Sequence, residues 1–168
     1  MVTASPSPAE KRKWYSLTLR HLRMASRLLR AGFIDGALFH IYHAYECVIS
    51  SMIAANGYNV PPEGKTSITL PRKGVVKGYP SPAGIISETS THKARLLFFN
   101  ELADKTKLYY RTHSSLSRFI SYSDRNDALY YNAKTNRLPH EKYNSSAFAQ
   151  SAMKEVRSFA EQVWQEIK

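Results

Sequence analysis

Apolar residues recur at steps of three and four near the start of the chain, the spacing of one side of an α-helix. They predict a helix from about residue 10 to residue 31, which Gly32 ends as a C-cap. The expected buried side consists of Trp14, Leu17, His21, Ala25 and Leu28, widened by Leu22, Met24 and Leu29.

A second helix is predicted directly afterwards, with Asp35 as its N-cap and Asn56-Gly57 as its end. Because only a few residues separate the two helices, we expect them to pack as an antiparallel hairpin. The apolar stripe of the second helix keeps the same period through Leu38, Ile41, Tyr45, Val48, Met52 and Ile53.

Residues 57–90 break every helical period and contain most of the prolines and glycines. Connections of this length are uncommon unless they have a function, so we interpret the segment as an insertion. It either contacts a ligand or decorates the surface. Within it, "TSITL" and "GVVKGY" are predicted to pair as a small β-hairpin.

Helical character returns at Thr91 in "THKARLLFFNELA", and a further segment continues it to Ile120. Ser123 or Asp124 can cap the short run that follows, and "NAKTNRLPH" is typical of a turn-rich linker. Ser145 or Ser146 caps a final helix whose apolar stripe is Phe148, Ala152, Val156, Phe159, Val163 and Ile167.

The predicted fold class is therefore all-α, a bundle of four to five helices with a long insertion between the second and the third. We expect one domain over residues 10–168, preceded by a flexible leader over residues 1–9. Cys47 has no second cysteine to pair with, and we find no signal peptide or apolar run of membrane-spanning length. These features favour a cytoplasmic protein without a membrane partner.

The charge balance points to a polyanionic partner. Lys and Arg number 24 against 13 Asp and Glu, which gives a formal charge of +11. Four arginines fall on one stripe of the first helix, ~15 Å long, and form either a phosphate-binding ridge or a solvated helix face. With the insertion cations, the candidate nucleic-acid-binding residues are Arg20, Arg23, Arg27, Arg30, Lys65, Arg72, Lys73 and Lys77.

A metal site competes with this interpretation. His40, His43 and Cys47 are spaced i, i+3 and i+7 on the second helix and could present three metal ligands, all of residue types that zinc accepts. Structural zinc sites normally use four ligands, and the chain has no further cysteine. We therefore expect packing and surface roles for these residues, and neither a metal nor a cofactor.

Three stretches carry a resemblance to a known family. They are "LRHLRMASRLLRAGFIDGALFHIYHAYECVISSMI", with its Ala44-x-Glu46 pattern, "THKARLLFFNEL", and "SYSDRNDALYYNAKTN". In this order they resemble the HEPN superfamily, helical domains of prokaryotic toxins, defence systems and nucleotidyltransferase partners. The resemblance covers most of the chain outside residues 57–90.

The resemblance implies a catalytic motif at Arg125. Family ribonucleases cleave RNA without a metal, using Arg, often followed by Asn, and a His five positions after the Arg. The candidate catalytic residues are thus Arg125, Asn126 and Tyr130, with Tyr130 in place of the His. A phenol with pKa near 10 is a poor base at neutral pH, although it can donate a hydrogen bond. His113 or His140 can replace the missing His only if the fold brings one of them to Arg125.

Two hypotheses follow. The first is an RNA- or nucleotide-interacting domain, with the motif either a degenerate corner that only binds or an altered metal-independent endoribonuclease. The second is a protein-interaction subunit of a defence or toxin–antitoxin complex, for which 11 tyrosines supply the aromatic surface that interfaces favour. The resemblance also implies a homodimer in which two motif corners share a cleft.

Overall fold

The computed structural model describes residues 8–55, 60, 65–69, 74–76, 79–81, 85–90, 95, 128 and 136–168. Its helices are α1 (Pro8–Arg30), α2 (Ile34–Ala55), the one-turn α3 (Pro139–Lys142) and α4 (Ser146–Ile167). Its strands are β1 (Lys65–Thr69), β2 (Gly74–Val76), β3 (Tyr79–Ser81) and β4 (Ile85–Ser90). The described part is mainly helical, in agreement with the predicted all-α class. The helices predicted between residues 91 and 120 lie outside it, apart from Arg95.

A tight turn joins α1 to α2. Gly32 has φ of 83°, which glycine adopts without a steric penalty. The Phe33 N–H donates to Leu28 O at 2.9 Å, and the Gly32 N–H donates to Leu29 O at 3.2 Å. These two bonds define a Schellman motif, so the predicted C-cap at Gly32 is confirmed.

Two predicted helix starts need correction. α1 begins at Pro8, so the last two residues assigned to the leader are helical, and proline is well suited to a first turn. α2 begins at Ile34, before the expected cap Asp35. The Asp35 carboxylate instead accepts a hydrogen bond from the Gly36 N–H at 2.8 Å, within the first turn.

α2 is the central helix and packs against both α1 and α4. Its predicted apolar stripe is buried throughout, and so are most other residues from Ala37 to Ala54. The α1–α2 interface is close at Gly36, where an added Cβ would lie 3.4 Å from a Leu28 methyl carbon. Leu28 thus faces Gly36, and His21 faces His40 further along, so the predicted antiparallel hairpin is confirmed.

The buried side of α1 is rotated from the predicted one. Leu22, Ala25 and Thr18 are buried, whereas Leu17 and Met24 are 38% and 36% exposed. The rotation arises because α1 packs against α4 as well as α2, which draws its buried side toward both neighbours. Burial of Thr18 is possible because its hydroxyl donates to the Trp14 carbonyl at 3.1 Å.

α4 follows the prediction closely. The Ser145 hydroxyl accepts from the Phe148 N–H at 3.3 Å, a side-chain N-cap. Of the predicted stripe, the residues buried are Ala152, Val156, Phe159 and Val163. The Phe159 ring lies 5.9 Å from the Tyr45 ring of α2, so α4 completes the core. Part of the predicted linker is helical instead, since Pro139 starts α3.

The stretch "THKARLLFFNELA" contacts α1 at its one described residue, Arg95. Arg95 is only 5% exposed, and its guanidinium lies 5.1 Å from the centroid of the Trp14 ring. This distance is that of a cation–π contact. Ala128 is buried in the same core as α1, α2 and α4.

Among the described residues, no helix combines the length and the apolar character needed to cross a bilayer.

The strands pair differently from the prediction. β1 pairs antiparallel with β4, and β2 pairs antiparallel with β3. The expected pairing of "TSITL" with "GVVKGY" is therefore wrong. Val76 is opposite Tyr79, so only two residues connect β2 to β3, and hairpins with such short connections are favoured. β1 then pairs with the strand that follows this hairpin.

Candidate anion-binding groove

A groove of about 440 Å³ runs between α1 and α4. We call it the α1–α4 groove. Its polar lining consists mainly of arginines, three from α1 and one from α4, together with one carboxylate. These residues are Arg23, Arg27, Arg30, Arg157 and Glu161.

The four arginines are all exposed on the surface of their helices. Within the described part of the chain, no ion pair joins any of their guanidinium groups to a carboxylate. Arg27 and Arg30 lie in the last turn of α1, where the helix dipole favours positive charge and supplies a structural reason for two of them. Arg23 and Arg157 have no such reason. The groove is therefore a concentration of positive charge that exceeds the single negative charge of Glu161.

A stacked pair of aromatic rings shows in which direction α4 runs relative to α1. The Tyr15 and Trp164 rings stack with centroids 4.4 Å apart and an interplanar angle of 18°. Arg157, seven residues before Trp164, lines the groove together with Arg23 and Arg30. α4 therefore runs antiparallel to α1, because a parallel helix would carry Arg157 beyond the N-terminal side of Tyr15.

The two ends of the groove consequently differ. One end has the Tyr15–Trp164 stack with Glu161 beside it, and the other end has the arginines. Burial raises the pKa of Tyr15 above its ordinary 10.0, and the negative charge of Glu161 raises it further. Tyr15 therefore remains a protonated phenol at neutral pH and can donate a hydrogen bond.

A histidine cluster occupies the opposite side of α1, at the α1–α2 interface. The Nδ1 atoms of His21 and His40 are 2.9 Å apart, so one of them carries the hydrogen and the other accepts it. Burial lowers the pKa of both imidazoles, and for His21 the charges of His40 and Arg20 lower it further. The pair therefore favours the neutral state.

His43 extends this cluster. Its ring lies 5.4 Å from that of His21 and packs edge-on against Phe39 at 4.3 Å. Its Nδ1 is 3.5 Å from Oε2 of the buried Glu46, a neighbour on α2. His40 and His43 thus contact α1 and aromatic rings, which are packing roles of the kind predicted for them.

The three residues weighed as zinc ligands can also be compared with the structure. Cys47 is buried, with 6% of its surface exposed. In the part of the chain that the structure describes, no group of three or more His, Cys, Asp or Glu side chains is arranged to hold a metal ion.

Three of the four predicted ridge arginines line the groove, whereas Arg20 is exposed on α1 outside the groove lining, and its charge acts on His21. Lys65 lies in β1, opposite Ser90, and His140 is exposed in α3. The remaining predicted site residues lie outside the described residues: Arg72, Lys73, Lys77, His113, Arg125, Asn126 and Tyr130.

The sequence interpretation missed the α4 wall. Arg157, Glu161 and Trp164 are spaced i, i+4 and i+7, which places them on one side of α4 next to its buried stripe. That spacing was the available signal, although nothing in it indicates which helix lies opposite.

In comparisons with protein-family models, curated proteins and solved structures, nothing matches the chain.

Proposed function

We propose that the protein is a HEPN-like domain that interacts with RNA or nucleotides through phosphate groups bound in the α1–α4 groove. The observation that carries the proposal is the meeting of four exposed arginines from two helices in one groove, with Glu161 as the acidic residue of its lining. A bound phosphate would relieve the repulsion among these like charges.

The chemistry of the cations supports this assignment over a solvated helix face. All four are arginines, whose planar guanidinium groups bind phosphate oxygens with two parallel hydrogen bonds. A solvated face needs cations along one helix only, whereas Arg157 comes from α4 and lines the same groove as Arg23. Convergence from sequence-distant positions favours a binding role.

The motif around Arg125 provides the catalytic part of the proposal. In this proposal the groove holds RNA, and Arg125, Asn126 and Tyr130 form a degenerate or altered metal-independent endoribonuclease corner. Slow or absent cleavage is expected from the wild type because Tyr130 is a poor base. Tyr130→His restores the family pattern, and a gain of metal-free cleavage that requires Arg125 would support this part.

Salt-dependent binding tests the groove directly. A variant with Arg23, Arg27, Arg30 and Arg157 all changed to Gln should bind single-stranded RNA more weakly. Its salt slope should fall by about 3, since each lost phosphate contact contributes ~0.7 for single strands. The matched control changes Arg12, Lys13, Arg137 and Lys154 to Gln, four exposed cations outside the groove lining.

The comparison of the two variants decides the outcome. If the control variant lowers the slope as much as the groove variant, binding follows net charge, and the groove assignment is wrong. Circular dichroism of both variants shows whether the helices are retained.

A specific observation also favours the protein-interaction alternative. Phe33 is 61% exposed at the α1–α2 turn, and Leu17 and Met24 expose apolar surface on α1. A protein-interaction subunit would show negligible RNA affinity at physiological salt. The mass of the oligomer that it forms, measured by light scattering, would also fall when Phe33 is replaced by Ser.

A further inference from the structure

The unlike ends of the α1–α4 groove restrict what it can bind. Glu161 lines the groove beside the Tyr15–Trp164 stack, and its negative charge opposes a phosphate at that end. A phosphate chain lying along the whole groove would meet this charge. The ligand must therefore present its anionic part to the arginines and an uncharged or cationic part to Glu161.

The aromatic end defines the uncharged part more closely. Tyr15 lines the groove, and its stack with Trp164 holds the ring in a fixed orientation. Flat rings bind well to such platforms, and nucleobases do so irrespective of sequence. The carboxylate of Glu161 accepts hydrogen bonds only, so it favours a ring whose edge carries donors.

Among nucleobases, guanine best fits a carboxylate. Its N1–H and N2 amino groups are adjacent donors on one edge and can bond both carboxylate oxygens at once. Adenine has a ring-nitrogen acceptor at the equivalent edge, which a carboxylate repels. The separation of Tyr15 from Arg23 also fits one nucleotide unit with its base at Tyr15 and its phosphate at the long Arg23 side chain. The two residues are eight positions apart on α1, ~12 Å along the axis.

We propose that the groove binds a guanine nucleotide unit, with the base against Tyr15 and Glu161 and the phosphate at Arg23 and Arg157. This inference rests on the proposed function and adds a base preference to it. The unit is either a free nucleotide or a guanosine within a single strand of RNA, because both present the same base edge and phosphate.

Calorimetric titration of the intact chain tests the proposal. The probes are GMP, IMP, AMP, ribose 5-phosphate and pyrophosphate. We expect GMP to bind more tightly than IMP, which lacks the N2 amino group, and IMP more tightly than AMP. Ribose 5-phosphate should bind about 5- to 150-fold more weakly than GMP, the range for loss of one base stack. Two 5′-phosphorylated oligonucleotides, with and without guanine, distinguish RNA from a free nucleotide as the source.

Two variants of the aromatic end and one control variant separate base recognition from phosphate binding. Glu161→Gln should reduce the preference for GMP over AMP while strengthening pyrophosphate binding, because the opposing charge is gone. Tyr15→Leu should bring GMP close to ribose 5-phosphate. Glu155→Gln is the matched control, since it removes one negative charge from α4 outside the groove lining and should leave base preference unchanged.

The outcomes distinguish this inference from the proposed function. If pyrophosphate binds and GMP, AMP and ribose 5-phosphate bind equally, the guanine inference is overturned and the phosphate site remains. If neither pyrophosphate nor RNA binds at physiological salt, both are overturned. A GMP preference that survives in Glu161→Gln would show that another group reads the base.

Discussion

On the side of α1 that faces α2, polar side chains are matched to one another, whereas on the side that faces α4 they are not. His21 meets His40 with their Nδ1 atoms 2.9 Å apart, and Thr18 bonds to the backbone of its own helix. Across the helix, Arg23 and Arg157 line an open groove without an acidic partner among the described residues.

This difference separates structural from functional polarity. Polar groups removed from water destabilise a fold unless they are hydrogen-bonded, so the α1–α2 interface satisfies them internally. Exposed like charges gathered in one place do not stabilise the fold, and their interaction with a bound anion is their main energetic benefit. Substitutions in the two regions should therefore affect different measurements, stability in the first and binding in the second.

The largest effect is expected in the core that α2 and α4 share. Phe159 is fully buried and packs near Tyr45, so Phe159→Ala removes a large side chain and leaves a cavity. We expect the free energy of unfolding in urea to fall by ~3–5 kcal/mol. Phe33→Ala, at a largely exposed position, should change it by less than ~0.5 kcal/mol. A loss under 1 kcal/mol for Phe159→Ala would contradict the assignment of α4 to the core.

A smaller effect should come from overpacking the α1–α2 interface. Gly36→Val places methyl groups against Leu28, where even a Cβ lies 3.4 Å away, and should destabilise the fold by ~1–3 kcal/mol. Ser26→Val introduces the same side chain into the open groove and should cost less than ~0.5 kcal/mol. Equal losses of unfolding free energy in urea would mean that the two sides of α1 are packed alike.

Acidification should destabilise the α1–α2 interface by less than the substitutions Phe159→Ala and Gly36→Val do. Because the pKa values of His21 and His40 are both lowered from 6.5, the unfolded chain binds protons before the folded one does. The pair's contribution is therefore complete above pH 6.5 and is lost as the pH falls through the lowered values. Nearby Arg20 increases this sensitivity, because its positive charge lowers the pKa of His21 further.

Urea unfolding at about pH 8 and about pH 5.5 measures this dependence. The double variant His21→Gln and His40→Gln should lose less stability on acidification than the wild type does. His140→Gln, at an exposed position in α3, is the control and should retain the wild-type dependence. An identical acid response in the double variant would assign the effect to other groups.

The smallest effect on stability is expected from the groove itself. Changing its four arginines to Gln should lower the unfolding free energy by no more than ~1 kcal/mol while RNA affinity falls, because the dipole contribution of Arg27 and Arg30 is lost and charge repulsion is relieved. A slight gain would be consistent with relief of charge repulsion. A loss of several kcal/mol would place these arginines among the structural residues and remove the contrast between the two sides of α1.

Long periodic segments were predictable from sequence, and pairings between distant segments were not. α1, α2 and α4 carry repeated apolar spacing and identifiable caps at Gly32 and Ser145, which are local signals. The buried side of α1 was misplaced because its position depends on two neighbours, and the local pattern includes exposed Leu17. The strands were mispaired because the shortest connection, not strand composition, selects the partner of β2.

For the same reason, only the α1 side of the groove could be predicted from the sequence. Arg23, Arg27 and Arg30 form a stripe that is visible in one helix, so their shared direction follows from helical geometry. Arg157 and Glu161 join them only because α4 packs antiparallel beside α1. A single sequence contains no signal for that packing partner.

The stack of Tyr15 on Trp164 also has a consequence for the order of assembly. The α1–α2 hairpin joins neighbours in sequence and can form by closing a turn of a few residues, which is fast. The groove needs residues from α1 and α4 that are far apart along the chain, so its closure carries a larger entropic cost. During synthesis the arginines of α1 therefore emerge before α4, which forms the other side of the groove. A ribosome-bound chain lacking α4 has the α1–α2 hairpin without the groove.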